Sequence, residues 1–126
     1  MKATELRIGN LVTIDGNVVE IYEVTHGVIE IANGVEPYSI NDIEPIPLTE
    51  EWLVKLKNDG SFKLRFIKSI AAFEVQRKYV GIESGEEWIF ISNVRYVHEW
   101  QNLHFALTGE ELQADETKKK STYNLT

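Results

Sequence analysis

The chain has 126 residues, 43% of them hydrophobic and 26% charged, with a formal net charge of −7 and no cysteine. That length and composition fit one compact globular domain able to bury roughly two thirds of the surface its unfolded form exposes, and argue against disorder. The missing cysteine excludes disulfides, thiolate metal sites and cysteine nucleophiles. No apolar run approaches the roughly 18 residues a membrane span needs, and residues 1–7 lack the apolar core of a signal peptide, so the cytoplasm is the expected location.

Charge is uneven along the chain. Residues 1–48 hold eight carboxylates against Lys2 and Arg7, whereas residues 49–98 set Lys55, Lys57, Lys63, Arg65, Lys68, Arg77, Lys78 and Arg95 against seven acids. The front half should repel phosphate, so direct nucleic-acid contact would fall to the second half.

The front segment, 6–44, is written in β-turn punctuation. Leu11, Val12 and Ile14 lead into Asp15-Gly16-Asn17, after which Val19, Ile21 and Val24 alternate with Glu20 and Glu23, the pattern of a hairpin. His26-Gly27 breaks the chain again before Val28, Ile29 and Ile31. Asn33-Gly34 marks a third turn before Val35–Ile40, where Pro37 restricts the strand to an edge or bulge. Short strands with tight turns predict a small antiparallel sheet, SH3-like or barrel-like.

A helix is predicted over 49–57. Pro45 and Pro47 hold the approach extended, Thr49 caps, Glu50 and Glu51 favour the first turn, and Trp52, Leu53 and Leu56 form the buried stripe before Asn58-Asp59-Gly60 stops it. The period then changes to two over 61–92. Phe62, Leu64 and Phe66 alternate with Lys63 and Arg65; Phe73, Val75, Arg77 and Tyr79 alternate with Glu74, Gln76 and Lys78; and Ser84-Gly85 turns the chain into Trp88–Ile91. This is an antiparallel meander whose wet face carries Lys63 and Arg65, with Lys78 nearby if the register allows.

The closing segment, 94–112, reads in two ways. As a helix from about Val94 to Thr108 it puts Tyr96, Val97, Trp100, Leu103, His104 and Leu107 on one broad face, with Gly109 after its end. The alternation of Leu103, Phe105 and Leu107 reads equally as a strand after Asn102. Helix is favoured. Residues 113–126 have no apolar period and are expected to form a flexible tail. The organisation is thus a single α+β domain over 1–112.

Three runs carry a resemblance: Leu6-Arg7-Ile8-Gly9-Asn10-Leu11-Val12, the proline-punctuated Ile43–Leu53 ending in LTEEWL, and Tyr96–Leu112 with its QNL and ALTG motifs. Together the chain resembles a family of small uncharacterised proteins of Bacteroidota genomes and of their phages and prophages. It departs at Lys57-Asn58-Asp59-Gly60, where family members often continue with a glycine and an aromatic. The resemblance implies a phage or mobile-element setting and assigns no residue a role.

No constellation points to catalysis. His98 and His104 are six apart, which does not make the i, i+4 pair of a helical metal site, and the carboxylate pairs Glu50-Glu51, Glu86-Glu87 and Glu110-Glu111 are consecutive rather than set across a cleft. Gly81 and Gly85 lack the lysine of a phosphate loop. The chain is expected to be neither an enzyme nor a cofactor binder. Three binding readings stand. The leading one is a protein-binding accessory factor acting on a host or phage protein through His98, Gln101, Asn102 and Phe105. A second is nucleic-acid interaction, through Lys63, Arg65, Arg77 and Lys78 or by acidic mimicry of DNA. The third is a nucleotide-type ligand stacked on Tyr38, Trp88 or Trp100.

Overall fold

The computed structural model describes residues 5–31, 37–58, 60–81 and 85–112. The fold is α+β. Two compact units form, one from Met1–Pro47 with Tyr96–Glu111 and the other from Leu48–Arg95 with Leu112–Thr126, so the second is inserted into the first. Within the first unit, the Val97 amide donates to the Ile46 carbonyl at 2.8 Å and Pro47 bridges to Tyr96. Within the second, the Leu48 amide donates to Arg95 at 2.9 Å. The outgoing and returning chain segments therefore pair side by side.

The first unit opens with four antiparallel strands in the order β1 (Leu11–Ile14), β2 (Asn17–Thr25), β3 (Val28–Ile31) and β4 (Tyr38–Ser39). Asp15 and Gly16 turn the first hairpin with φ of 52° and 82°, and His26 and Gly27 turn the second with 49° and 80°. Two successive left-handed residues give a loop whose twist matches that of the strands it joins. β2 is irregular between Ile21 and Glu23; its first half pairs with β1 and its second with β3. Such a bulge increases local twist, and the sheet curls into a half-barrel around Leu6, Val12, Ile14, Ile21, Ile29 and Ile43. After a 3-10 turn at Ile40–Asp42, Thr13 and Glu44 exchange backbone hydrogen bonds at 2.9 Å and return the chain to β1. The barrel-like front sheet is as expected, with β4, which follows Pro37, last in the sheet; the Asn33-Gly34 turn lies outside the described residues.

Helix α1 (Glu50–Lys55) belongs to the second unit. The Thr49 hydroxyl accepts from the Trp52 amide at 3.3 Å, as a capping threonine should. It ends two residues short of the expected 57: Leu56 leaves helical geometry (φ −105°, ψ 67°) to bury its side chain. The Asn58 side chain then takes the amides of Gly60 and Phe62. Asp59, part of the expected stop, lies outside the described residues, as do Ser84 of the expected second turn and the tail beyond Leu112. Strands β5 (Phe62–Ile67), β6 (Ala72–Gly81) and β7 (Gly85–Val94) form the expected meander.

The closing segment is helical. Helix α2 (Val97–Thr108) runs through the stretch that also reads as a strand, because Val97, Trp100, Gln101 and His104 recur on a buried stripe of helical period. It packs with the front unit. The Tyr96 amide donates to Glu99 Oε1 at 3.2 Å at its start, and Gly109, at φ 78°, returns its amide to Phe105 at its end. No helix among the described residues is long and apolar enough to cross a membrane.

Two left-handed positions make opposite predictions. Gly109→Ala should cost about 1 kcal/mol by chemical denaturation, since alanine resists that conformation. Ala71 already occupies it (φ 51°, ψ 49°) in the β5–β6 connection, so Ala71→Gly should raise stability by about 0.5–1 kcal/mol.

Candidate functional site

Of the four residues expected to form an interaction patch on α2, His98 and Gln101 are buried, Asn102 is half-buried and Phe105 stays exposed. His98 and Gln101 are each 1% exposed. Gln101 Oε1 accepts from the Leu11 amide at 2.8 Å and its Nε2 donates to the Gly9 carbonyl at 3.2 Å. One side-chain amide therefore satisfies a backbone donor and acceptor at the start of β1. Asn102 Oδ1 accepts from Arg7 Nε and Asn10 Nδ2, while its own amide donates to the Glu5 carbonyl at 2.8 Å. Phe105 lies beneath Arg7, whose guanidinium carbon is 4.2 Å from the ring centre, and Arg7 pairs in turn with Glu111.

These bonds join two distant runs of the chain. Arg7, Gly9 and Asn10 of the first run meet Gln101, Asn102 and Glu111 of the last, and Thr108 finishes the helix by accepting from the Glu110 amide at 3.0 Å. Gln101 and Asn102 read as surface residues because they are polar, whereas in this fold their side chains serve the backbone of residues 5–11. His104 is likewise structural, its Nδ1 lying 3.0 Å from the Glu110 carbonyl.

His98 stacks on Tyr96 (centroids 5.9 Å apart, planes within 9°), and neither ring nitrogen has a hydrogen-bond partner among the described residues. Burial holds its pKa below the ordinary 6.5, outweighing the carboxylates of Glu99 and Glu5, the latter 3.6 Å from Nε2.

The candidate basic residues separate by strand register. Direct cross-strand partners share a face, and successive residues alternate. Phe62 opposes Arg77, Leu64 opposes Val75 and Phe66 opposes Phe73, which puts Arg77 on the partly apolar face, its guanidinium 5.4 Å from the Phe62 ring. Lys63 opposes Gln76 and Arg65 opposes Glu74, so Lys63, Arg65 and Lys78 share the other face. Arg77 cannot join Lys78 because the two are adjacent on one extended strand.

β7 adds two aromatics to this basic face. Val75 opposes Ser92, but Gln76 opposes Phe90, leaving Ile91 as an extra residue. Simple alternation from Ser92 would turn Phe90 and Trp88 to the Arg77 face; the bulge transfers both to the side of Lys63 and Lys78. Lys63 Nζ lies 4.4 Å from the Trp88 ring centre, and Phe90 is 53% exposed. Arg65 bonds Glu74 Oε1 at 2.9 Å, but its side chain is 71% exposed, so that pair contributes no more than about 1 kcal/mol. The contact of the exposed Lys63 cation with the half-buried Trp88 ring is of similar size, about 0.5–1 kcal/mol.

The remaining aromatics offer less. Trp100 is fully buried, and Tyr38 lines an open cleft of about 460 Å³ with Asp15, Asp42 and Glu44, whose carboxylates disfavour a nucleotide phosphate. No family model, curated protein or solved structure matches this chain.

Two outcomes follow from the α2 interior. Gln101→Leu leaves the Leu11 amide and Gly9 carbonyl without their side-chain partner and should cost about 1–3 kcal/mol in chemical denaturation. The folded protein binds a proton at His98 less readily than the unfolded chain, so His98 stabilises above pH 6.5 and that contribution is lost as pH falls toward the depressed value. The thermal midpoint should therefore decline below 6.5, and His98→Gln should flatten that segment of the profile.

Proposed function

We propose that this protein is a non-enzymatic nucleic-acid-binding module whose contact surface is the outer face of β5–β6–β7. The observation that carries the reading is the co-location of Lys63, Arg65 and Lys78 with Trp88 and Phe90 on one solvent-facing side of an antiparallel sheet. Cations there attract phosphate, and the exposed Phe90 ring with the half-buried Trp88 ring offers base-stacking surface. Lys63 and Arg65 hold the Trp88 ring and Glu74 through weak, solvent-screened contacts that phosphate can displace.

Charge distribution supports the same surface. The sequence of the front unit carries eleven carboxylates against two basic residues, whereas that of the inserted unit carries eleven basic residues against nine carboxylates. The net charge of −7 therefore hides a slightly cationic unit, and modest affinity is expected. The resemblance to phage and prophage proteins supports a mobile-element accessory role. A protein partner is the second reading. It draws on Phe66, Tyr79 and Ile89, which stay exposed on the opposite face, and not on α2.

Anisotropy of labelled oligonucleotides across a salt series tests the proposal. Binding should be strongest at low salt, with log affinity falling linearly against log salt, and Lys63→Gln with Lys78→Gln should reduce that slope by about 0.7–0.9 per lysine. Absence of binding at low salt, or an unchanged slope in the double variant, would sink it. Nuclease-resistant capture of one protein through the Phe66 face would favour the second reading.

A further inference from the structure

We infer that this face takes single-stranded nucleic acid, with Trp88 and Phe90 as stacking rings for two bases. The inference rests on the nucleic-acid reading above and specifies the strand state. Trp88 and Phe90 oppose Lys78 and Gln76 with no irregularity between them, so they stand two residues apart on one side of β7. Two strand residues span about 6.6–6.8 Å, and the sheet beneath has three strands, where a duplex major groove admits a two-stranded ribbon. Sheets that bind single strands use this device, stacking two or three splayed bases on aromatics of the open face.

The face is also polar across its strands. Lys63 and Arg65 stand on β5, Lys78 on β6, and both rings on β7. β5 and β7 are about 10 Å apart, being separated by one strand. A nucleotide strand has phosphates along one side and bases along the other. Laid parallel to the sheet strands, it would set phosphates over β5 and β6 and bases over β7. A duplex presents phosphates but keeps base faces inside its stack, so the rings would go unused.

Lys63 is the residue that must move. Its ammonium covers the Trp88 ring at 4.4 Å, where an incoming base would sit. Stacking a base on tryptophan outweighs one exposed cation–π contact, and the displaced ammonium remains long enough to meet phosphate.

The test compares mixed-sequence single-stranded DNA, single-stranded RNA and duplex DNA of equal length, by anisotropy at low salt with the full chain. At least one single strand should bind about tenfold or more tighter than duplex, and the preferred sugar names the natural ligand. Trp88→Leu and Phe90→Leu, each checked for retained thermal unfolding, should each lose about tenfold for single strands while barely changing duplex binding. Trp88→Phe keeps a stacking ring and should retain most of the affinity. Phe90→Leu decides the matter alone if Trp88→Leu fails to fold, because Phe90 is the more exposed ring. Equal affinity for duplex and single strands, with leucine variants at the parent affinity, would overturn the stacking inference while leaving phosphate binding intact. No salt-dependent binding of any strand would overturn both.

Discussion

The first unit depends on how it satisfies the backbone where the half-barrel begins. Gly9 and Leu11 sit just before and at the start of β1, an end strand, and their polar groups face the interior against α2. Leaving such groups unpaired would cost as much as a core mutation. Gln101 bonds both of them, and Asn102 ties in Arg7, Asn10 and the Glu5 carbonyl. Because the amides are held in one geometry, α2 has one allowed register on the sheet. A hydrophobic helix face alone would tolerate sliding; hydrogen-bonded amides are directional and do not.

This changes what the most recognisable motifs mean. Arg7, Gly9, Asn10, Gln101, Asn102 and Glu111 are the two sides of that network. Their polarity is consumed in joining chain segments about ninety residues apart. The proposed binding surface lies elsewhere, in the inserted unit, among ordinary surface lysines and aromatics that form no motif. A polar motif and a functional site are separable when the polar groups serve buried backbone.

Much of the architecture is legible in the sequence because it is local. Asp15-Gly16 and His26-Gly27 turn where their left-handed preference places turns, Thr49 caps α1, and Gly109 ends α2. The alternation around Phe62–Phe66 and Phe73–Tyr79 is that of a meander. The same alternation already implies that Arg77 and Lys78 face opposite ways, although charge alone groups them; the pleat, not proximity in sequence, decides membership of a face.

The sequence by itself determined the elements, the turns and the uneven charge, since each follows from preferences acting over a few residues. Tertiary structure alone decided two things. It turned Gln101 and His98 inward, because α2 packs against the front unit to which the chain returns after the insertion. It also placed Trp88 and Phe90 beside Lys63, because the extra residue at Ile91 shifts β7 against β6 and reverses which side those rings occupy. A bulge is a property of two paired strands, and no reading of one strand reveals where its partner will leave a residue unmatched.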